Sequence, residues 1–307
     1  MTVRAFAPGT IANLGPGLDI LGLALKGPGD TVTVEQTEGR GVSIRDSGHA
    51  EISRDAARNT AGIAAMRVLE LAGAAGLGLA IDVTKGLPLS GGQGGSAASA
   101  AAAAVAVNAL LGSPLAKRDL LEACLGAEEA VAGRHADNVA AALYGGVVLV
   151  RSLDPPDIVA LSFPKELLVV LLQPEQRLET QEARAALPRS VERSVAVAQA
   201  AQVGALVAGL ASGDLALIAR AVEDRIAEPA RARLLPGFAG AKEAALAAGA
   251  LGCSISGAGP AVFAFAADED AASRIGEAMI DAYRKLGIAA RAGARGIDSE
   301  GARVLGS

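Results

Sequence analysis

Two α+β domains meeting near residue 155 are the fold class that this sequence predicts, and three observations predict it. Short β-like runs alternate with longer helical stretches along the chain. A composition of 51% hydrophobic and 20% charged residues over 307 positions can fill substantial cores and excludes disorder. Asp154-Pro155-Pro156-Asp157 is the best linker candidate, dividing the chain into 1–155 and 156–307.

Each element has a local reason. Residues 2–7 and 31–35 read as strands, the second by its alternation. Residues 59–72 carry apolar side chains at helical spacing, and Gly73 sits where that helix should end. A strand at 79–84 leads into a glycine-rich loop at 86–95 and then a long alanine helix, which Gly112-Ser113-Pro114 stops. Asp119 reads as the N-cap of a helix carrying Leu120, Leu121, Cys124 and Leu125. Gly145-Gly146 marks a turn before a buried strand at 147–150. In the second half, 167–172 is a short apolar strand, and 191–227 is a helical region broken near Ser212-Gly213-Asp214. A strand at 261–266 and an amphipathic helix at 270–286 follow, then a short strand and a polar tail.

Charge and composition exclude several function classes. Lys+Arg 28 against Asp+Glu 33 gives a net charge of −5, and no Trp, two Tyr and five Phe leave little to stack on bases, so no nucleic-acid partner is expected. The most apolar stretch, 97–111, is mostly alanine and includes Ser99 and Asn108, which predicts a buried helix and no membrane span. The first six residues read as a strand start and not as a leader. Two cysteines, Cys124 and Cys253, suit reduced thiols and a cytoplasmic location.

The most informative stretch is Pro88-Leu89-Ser90-Gly91-Gly92-Gln93-Gly94-Gly95-Ser96-Ala97-Ala98-Ser99. Its glycines let backbone N–H groups approach an anion closely, and the helix behind offers unpaired N–H groups and a positive dipole end. These features predict a phosphate cradle, with Ser96 capping the helix or placing a hydroxyl on a phosphate-bound Mg²⁺. Walker A is excluded because no lysine follows the last glycine of the pattern. Gly92 to Ala97 does satisfy G-x-G-x-x-A, but no strand precedes it directly and no acidic residue lies about 20 positions on, so the dinucleotide reading is weak.

Three further segments stand in register with this loop. Ala7-Pro8-Gly9-Thr10-Ile11-Ala12-Asn13-Leu14-Gly15-Pro16-Gly17-Leu18-Asp19 resembles the N-terminal signature of homoserine kinases. The loop itself resembles the P-x-x-x-G-L-G-S-S-A motif of their parent superfamily, the galacto-, homoserine, mevalonate and phosphomevalonate (GHMP) kinases. Gly133-Arg134-His135-Ala136-Asp137-Asn138 resembles the homoserine kinases' G-x-H-x-D-N segment, and Gly252 to Pro260 the superfamily's third motif. The loop departs from the pattern at Gln93, where leucine is common, and at Gly95, where the first serine is expected; Ala261 replaces a frequent Ser or Thr.

The resemblance implies an N-terminal half like domain 2 of ribosomal protein S5 and a ferredoxin-like C-terminal half. It implies ATP- and Mg²⁺-dependent phosphorylation of the L-homoserine side-chain hydroxyl, by direct attack with little side-chain base catalysis, and a homodimer as a family-level expectation. By motif position, Ser96 and Glu128 would hold the metal, with Glu129 competing. Asn13, Asp19, His135, Asp137 and Asn138 would line the substrate pocket, Asn13 and Asn138 positioning the hydroxyl. Thr180 and Arg184 match a T-x-x-A-R stretch, and Arg231, with Arg233 as its alternative, matches a later substrate arginine. Two arginines can grip a carboxylate by fork-to-fork hydrogen bonds. Asn59 and Lys85 are weaker candidates for the nucleotide side. The same motifs also admit another GHMP small-molecule kinase or a catalytically silent nucleotide binder.

Overall fold

A computed structural model describes residues 1–131 and 133–306. Eleven strands and ten α-helices are present among them. In chain order they are β1 (Thr2–Ala12), β2 (Leu21–Thr37), β3 (Gly41–Asp46), α1 (Thr60–Leu71), β4 (Gly78–Thr84), α2 (Gly95–Leu110), α3 (Lys117–Val131) and α4 (Asp137–Tyr144). The hairpin β5 (Val147–Leu153) and β6 (Pro156–Leu161) comes next, then β7 (Leu168–Pro174), α5 (Thr180–Ala185), α6 (Arg193–Ser212) and α7 (Leu215–Ala221). The chain closes with α8 (Ala227–Ala232), α9 (Phe238–Ala247), β8 (Cys253–Ile255), β9 (Val262–Ala266), α10 (Glu269–Arg284), β10 (Ala290–Arg295) and β11 (Arg303–Val304).

The larger sheet runs β11-β1-β2-β4-β3, with β5 on the first residues of β2 and β6 on β5. Only β3 and β4 are parallel in it. The smaller sheet is antiparallel throughout, in the order β10-β7-β9-β8. Position 155 thus falls in the turn of the β5–β6 hairpin. The sheets part later than the expected linker, and β11 returns from the far end of the chain to pair with β1. Prolines that read as a linker instead turn a hairpin.

One core lies between the larger sheet and α1 to α4. Alanine-rich α2 sits at its centre, where small side chains let α1, α3 and α4 close around it. A second core joins the two sheets, and a third lies between the smaller sheet and α9 and α10. Strand β9 serves both by its period of two: Phe263 and Phe265 face the joining core, while Val262, Ala264 and Ala266 face the third.

Several helix ends follow the sequence. Asn59 caps α1 through bonds from the Ala61 and Gly62 amides, and Gly213 ends α6 with φ +73° before Asp214 caps α7. Asp119 is no N-cap: it lies in the first turn of α3 and accepts from the Ala116 N–H, the back-reaching half of a capping box. Helix α6 is long and apolar enough to cross a membrane by length and composition alone. Its buried Leu206, Gly209 and Leu210 belong to the protein's own packing, and its Gln199 is bonded within the fold. Cys124 and Cys253 are both buried and unpaired, and burial pushes both thiols up.

Candidate active site

Where β4 ends and α2 begins, a cleft of about 630 Å³ opens. Pro88 to Ser96 line one wall, and Glu128, His135, Asn138, Thr180 and Gly257 also face it. The loop turns on Gly94, whose φ of +64° suits glycine and whose missing side chain leaves room for Thr10; a Cβ there would meet Thr10 Oγ1 at 1.9 Å. Gly94 also serves as N-cap of α2 without a side-chain bond, so the first amides of that helix stand uncapped at the cleft. Ser96, the second residue of the helix, does not cap it. Ala97 and Ala98 are buried in the core, and the Ala98 N–H is spent on Gly94 O, so Ala98 offers a ligand neither side chain nor amide.

The loop is tied from three sides. Thr10 N–H donates to Gln93 O at 3.0 Å, and Ser256 Oγ donates to Gly92 O at 2.6 Å. Gln93 Nε2 donates to Gln173 Oε1 on β7 at 2.9 Å, so the departure from leucine supplies a polar tie to the smaller sheet. Lys85 lines the cleft, but its ammonium is committed elsewhere: it donates to Asp30, to Gly95 O at 2.9 Å and to Ser99 Oγ at 3.1 Å. Its three donors are thereby occupied. Asp30, fully buried in β2, also accepts from Ser99 Oγ at 2.6 Å and from Gly86 N–H at 3.1 Å. Asn59 likewise lines the cleft with its amide engaged in the α1 cap and in a bond to Ser53 O. Both residues build the wall.

Opposite the helix end sits a buried acidic group. Glu128 is 2% exposed on α3 and its Oε1 has no hydrogen-bond partner among the described residues. Burial pushes its carboxyl above the usual range, against the Ser96 hydroxyl and the charges of His135 and Lys85. Glu129, one step round the helix, is on the surface beside Arg134. Asp137 opens α4 and is also buried; burial pushes its carboxyl up to about 6, opposed by His135, whose Nδ1 lies 4.0 Å away. Asn138 accepts from Thr10 Oγ1 at 2.7 Å, which leaves its amide N–H groups toward the cleft without a partner among the described residues. A buried carboxylate oxygen with nothing to accept from, beside a hydroxyl, is a donor set suited to Mg²⁺. No group of three or more acidic, His or Cys residues stands together among the described residues, so a cation here would need ligands from outside the chain.

The third group joins the turn after β1 to α5 and α8. Asn13 and Leu14 have φ of +72° and +49°, and Asp19 has +62°, a run of left-handed backbone that is strained for leucine. Asn13 holds this turn: its Oδ1 accepts from Asp19 N–H at 3.1 Å, and its Nδ2 donates to Gly257 O at 3.0 Å. Arg184, on α5, grips the Asp19 carboxylate with both terminal nitrogens, at 3.1 and 2.8 Å. Arg231, 4% exposed on α8, donates to Gly257 O at 2.8 Å and to Ala183 O at 3.3 Å, while Arg233 is exposed. Burial pulls the Arg231 guanidinium below its usual value, with the charge of Asp19 opposing. Thr180 opens α5 at the cleft edge.

Of the expected positions, Asn59, Lys85, Pro88 to Ser96, Glu128, His135, Asn138 and Thr180 line the cleft; Asn13 and Arg231 reach it only through Gly257 O, and Asp19, Asp137 and Arg184 are not among its lining. Asp30, Ser99, Gln173, Ser256 and Gly257 were not singled out for a role from sequence. A carboxylate amid the apolar alternation of a strand, as at Asp30, is the one signal that was there to be read.

Family models match both halves: the GHMP kinases N terminal domain over residues 59–146 and the GHMP kinases C terminal domain over 205–285. Fold and cleft are those of a GHMP kinase. A homoserine kinase of Arabidopsis thaliana is 44% identical over 316 aligned residues, spanning 100% of this chain and 85% of the plant protein. A homoserine kinase of Chlorobium phaeobacteroides is 41% identical, spanning 92% of each chain. The crystal structure of homoserine kinase from Cytophaga hutchinsonii superposes with a TM-score of 0.95 at 43% identity, over 99% of this chain and 97% of that one. Within the superfamily, this chain belongs to the homoserine kinase family.

Proposed function

We propose that the chain transfers the γ-phosphoryl group of ATP to the side-chain hydroxyl of L-homoserine, giving O-phospho-L-homoserine and ADP in threonine biosynthesis. The observation that supports this reading is the joining of two dissimilar surfaces at Gly257, which lines the cleft and whose carbonyl accepts from both Asn13 and Arg231. One is an uncapped helix end with a glycine loop, suited to phosphates. The other is the Asp19–Arg184 pair with Arg231 behind it, suited to a zwitterion. In the free protein Asp19 and Arg184 satisfy each other. An α-amino acid brings an ammonium for the first and a carboxylate for the second, so it replaces both halves of that pair at once.

Ser96 and Glu128 would hold Mg²⁺, which when bound neutralises phosphate charge. The amides at the start of α2 stabilise the negative charge on the transferred group. Asn138 orients the hydroxyl through its amide, with Thr10 fixing the amide's direction. The hydroxyl oxygen forms the new O–P bond as the bond to the leaving ADP breaks, and the hydroxyl proton passes to a phosphate oxygen. His135 and Asp137 shape the pocket beside it. We read the reaction as cytoplasmic, and two cysteines that form no disulfide support that reading.

An ADP-release assay with MgATP against L-homoserine, L-serine, L-threonine, mevalonate, shikimate and galactose tests this. Preferential turnover of L-homoserine is expected. Turnover of another alcohol overturns the assignment of the pocket, and ATP binding with no turnover of any overturns the activity.

A further inference from the structure

Helix α6 is mainly apolar, and of its polar side chains Gln199 is the one that is turned inward, 7% exposed. Burying an amide is costly unless its groups are bonded, and here both ends are. Gln199 Nε2 donates to Pro16 O at 2.7 Å and to Asp224 Oδ1 at 2.9 Å, and its Oε1 accepts from Arg225 N–H at 2.8 Å. Pro16 belongs to the strained turn between Asn13 and Asp19. Asp224, also 7% exposed, accepts from the amides of Ile226, Ala227 and Glu228 at 2.8, 3.0 and 2.8 Å, and so holds the start of α8.

These bonds close a ring. From α8, Arg231 reaches Gly257 O, the same oxygen that accepts from Asn13, and Asn13 returns to the turn containing Pro16. The turn carries Asp19, and the helix carries Arg231. One amide therefore sits between the segment that presents the acidic group and the segment that presents the buried arginine, on the side of the ring away from the cleft. The phosphate loop is bonded to Thr10, Ser256 and Gln173 and makes none of its bonds to Gln199 or Asp224.

We propose that Gln199 and Asp224 are positioning residues that set the spacing between the two charged ends of the amino-acid site. They touch no substrate and act through Pro16 and through the start of α8. The inference rests on the function proposed above, because Asp19 and the buried Arg231, which stands behind Arg184, are the charges whose separation an α-amino acid would have to match.

The test is steady-state kinetics of wild-type enzyme and Gln199→Met, which keeps the side chain's length and removes its hydrogen bonds. The wild type is assayed first: failure to phosphorylate L-homoserine overturns the proposed function and this inference with it. With an active wild type, Gln199→Met is expected to raise the KM for L-homoserine about 10–100-fold, the scale of a small misplacement in a binding site. The KM for ATP and the kcat at saturating homoserine should stay within about threefold of wild type. A second readout uses 4-hydroxybutyrate, which keeps the hydroxyl and carboxylate and lacks the ammonium. Wild type should prefer homoserine over it strongly, and the variant should lose most of that preference. A lowered Tm with unchanged KM and unchanged preference overturns the inference and makes the cluster a stabilising cap only. If Gln199→Met does not fold, Asp224→Asn, which can retain three of the four accepted bonds, is read by the same two measurements.

Discussion

On the nucleotide side of the cleft, Lys85 and Asp30 form an ion pair whose side chains are 9% and 0% exposed. On the amino-acid side, Asp19 and Arg184 form one whose side chains are 37% and 38% exposed. The first pair is surrounded by further bonds, to Ser99, Gly86 and Gly95, and has no capacity left for a ligand. The second has only itself, on a turn of strained backbone. The difference teaches how the proposed reaction would use two kinds of charge. Phosphates would meet backbone amides held rigid by charges locked behind them, while the amino acid would meet charges that can be exchanged for its own.

The largest expected effect comes from breaking the sealed pair. Lys85→Met leaves Asp30 charged and buried without its cation, and should cost about 3–5 kcal/mol of stability in urea denaturation. A loss near zero would mean that Asp30 is not a buried charge at all. Lys85→Met combined with Asp30→Asn should recover part of the loss, since the stranded charge is then gone.

A smaller effect tests the buried acid between the two sides. Burial holds the Asp137 carboxyl up to about 6, while His135 opposes the shift and Asp19 and Glu128 contribute in the same direction as burial. A carboxyl raised on folding contributes stability below its ordinary value near 4, and that contribution is lost as pH rises through about 6. Between pH 4 and 7 the protein should lose on the order of 1–3 kcal/mol that Asp137→Asn does not lose. Parallel stability curves for the two proteins across that window would refute the assignment.

The smallest effect is expected at the exchangeable pair. Arg184→Met should change stability by less than about 1 kcal/mol, because the pair is open to solvent. Equal stability losses for Lys85→Met and Arg184→Met would erase the contrast between the two sides.

What could be read from the residues alone was local chemistry. The stop at Gly73, the break at Ser212-Gly213-Asp214 and the glycine loop around Gly94 all work within a few residues, so their signals lie side by side in the chain. Motif resemblance offered Glu128 and Glu129 for one position, and α3 buries the first and leaves the second on the surface, a difference that spacing alone left open. Short elements escaped notice: β3, β8 and α8 have too few residues to show a period. The prolines at 155 and 156 marked a turn correctly and a domain division too early, because the same residues serve either end. Asp30 and Gln199 were opaque for another reason. Each is explained only by partners from distant parts of the chain, and a buried polar residue has no meaning until those partners are known.

Strand β11 brings Val304 opposite Ala5, so neighbours in the sheet are 304 − 5 = 299 positions apart along the chain. A ribosome adding about 5–20 residues per second makes the second of them roughly 15–60 s after the first. Throughout that interval the outer edge of β1 has no strand beside it, and an open edge of this kind is a template for pairing with other chains. Among the described strands, the last in chain order thus covers the first, and the pairing of that edge waits on residues made long after it.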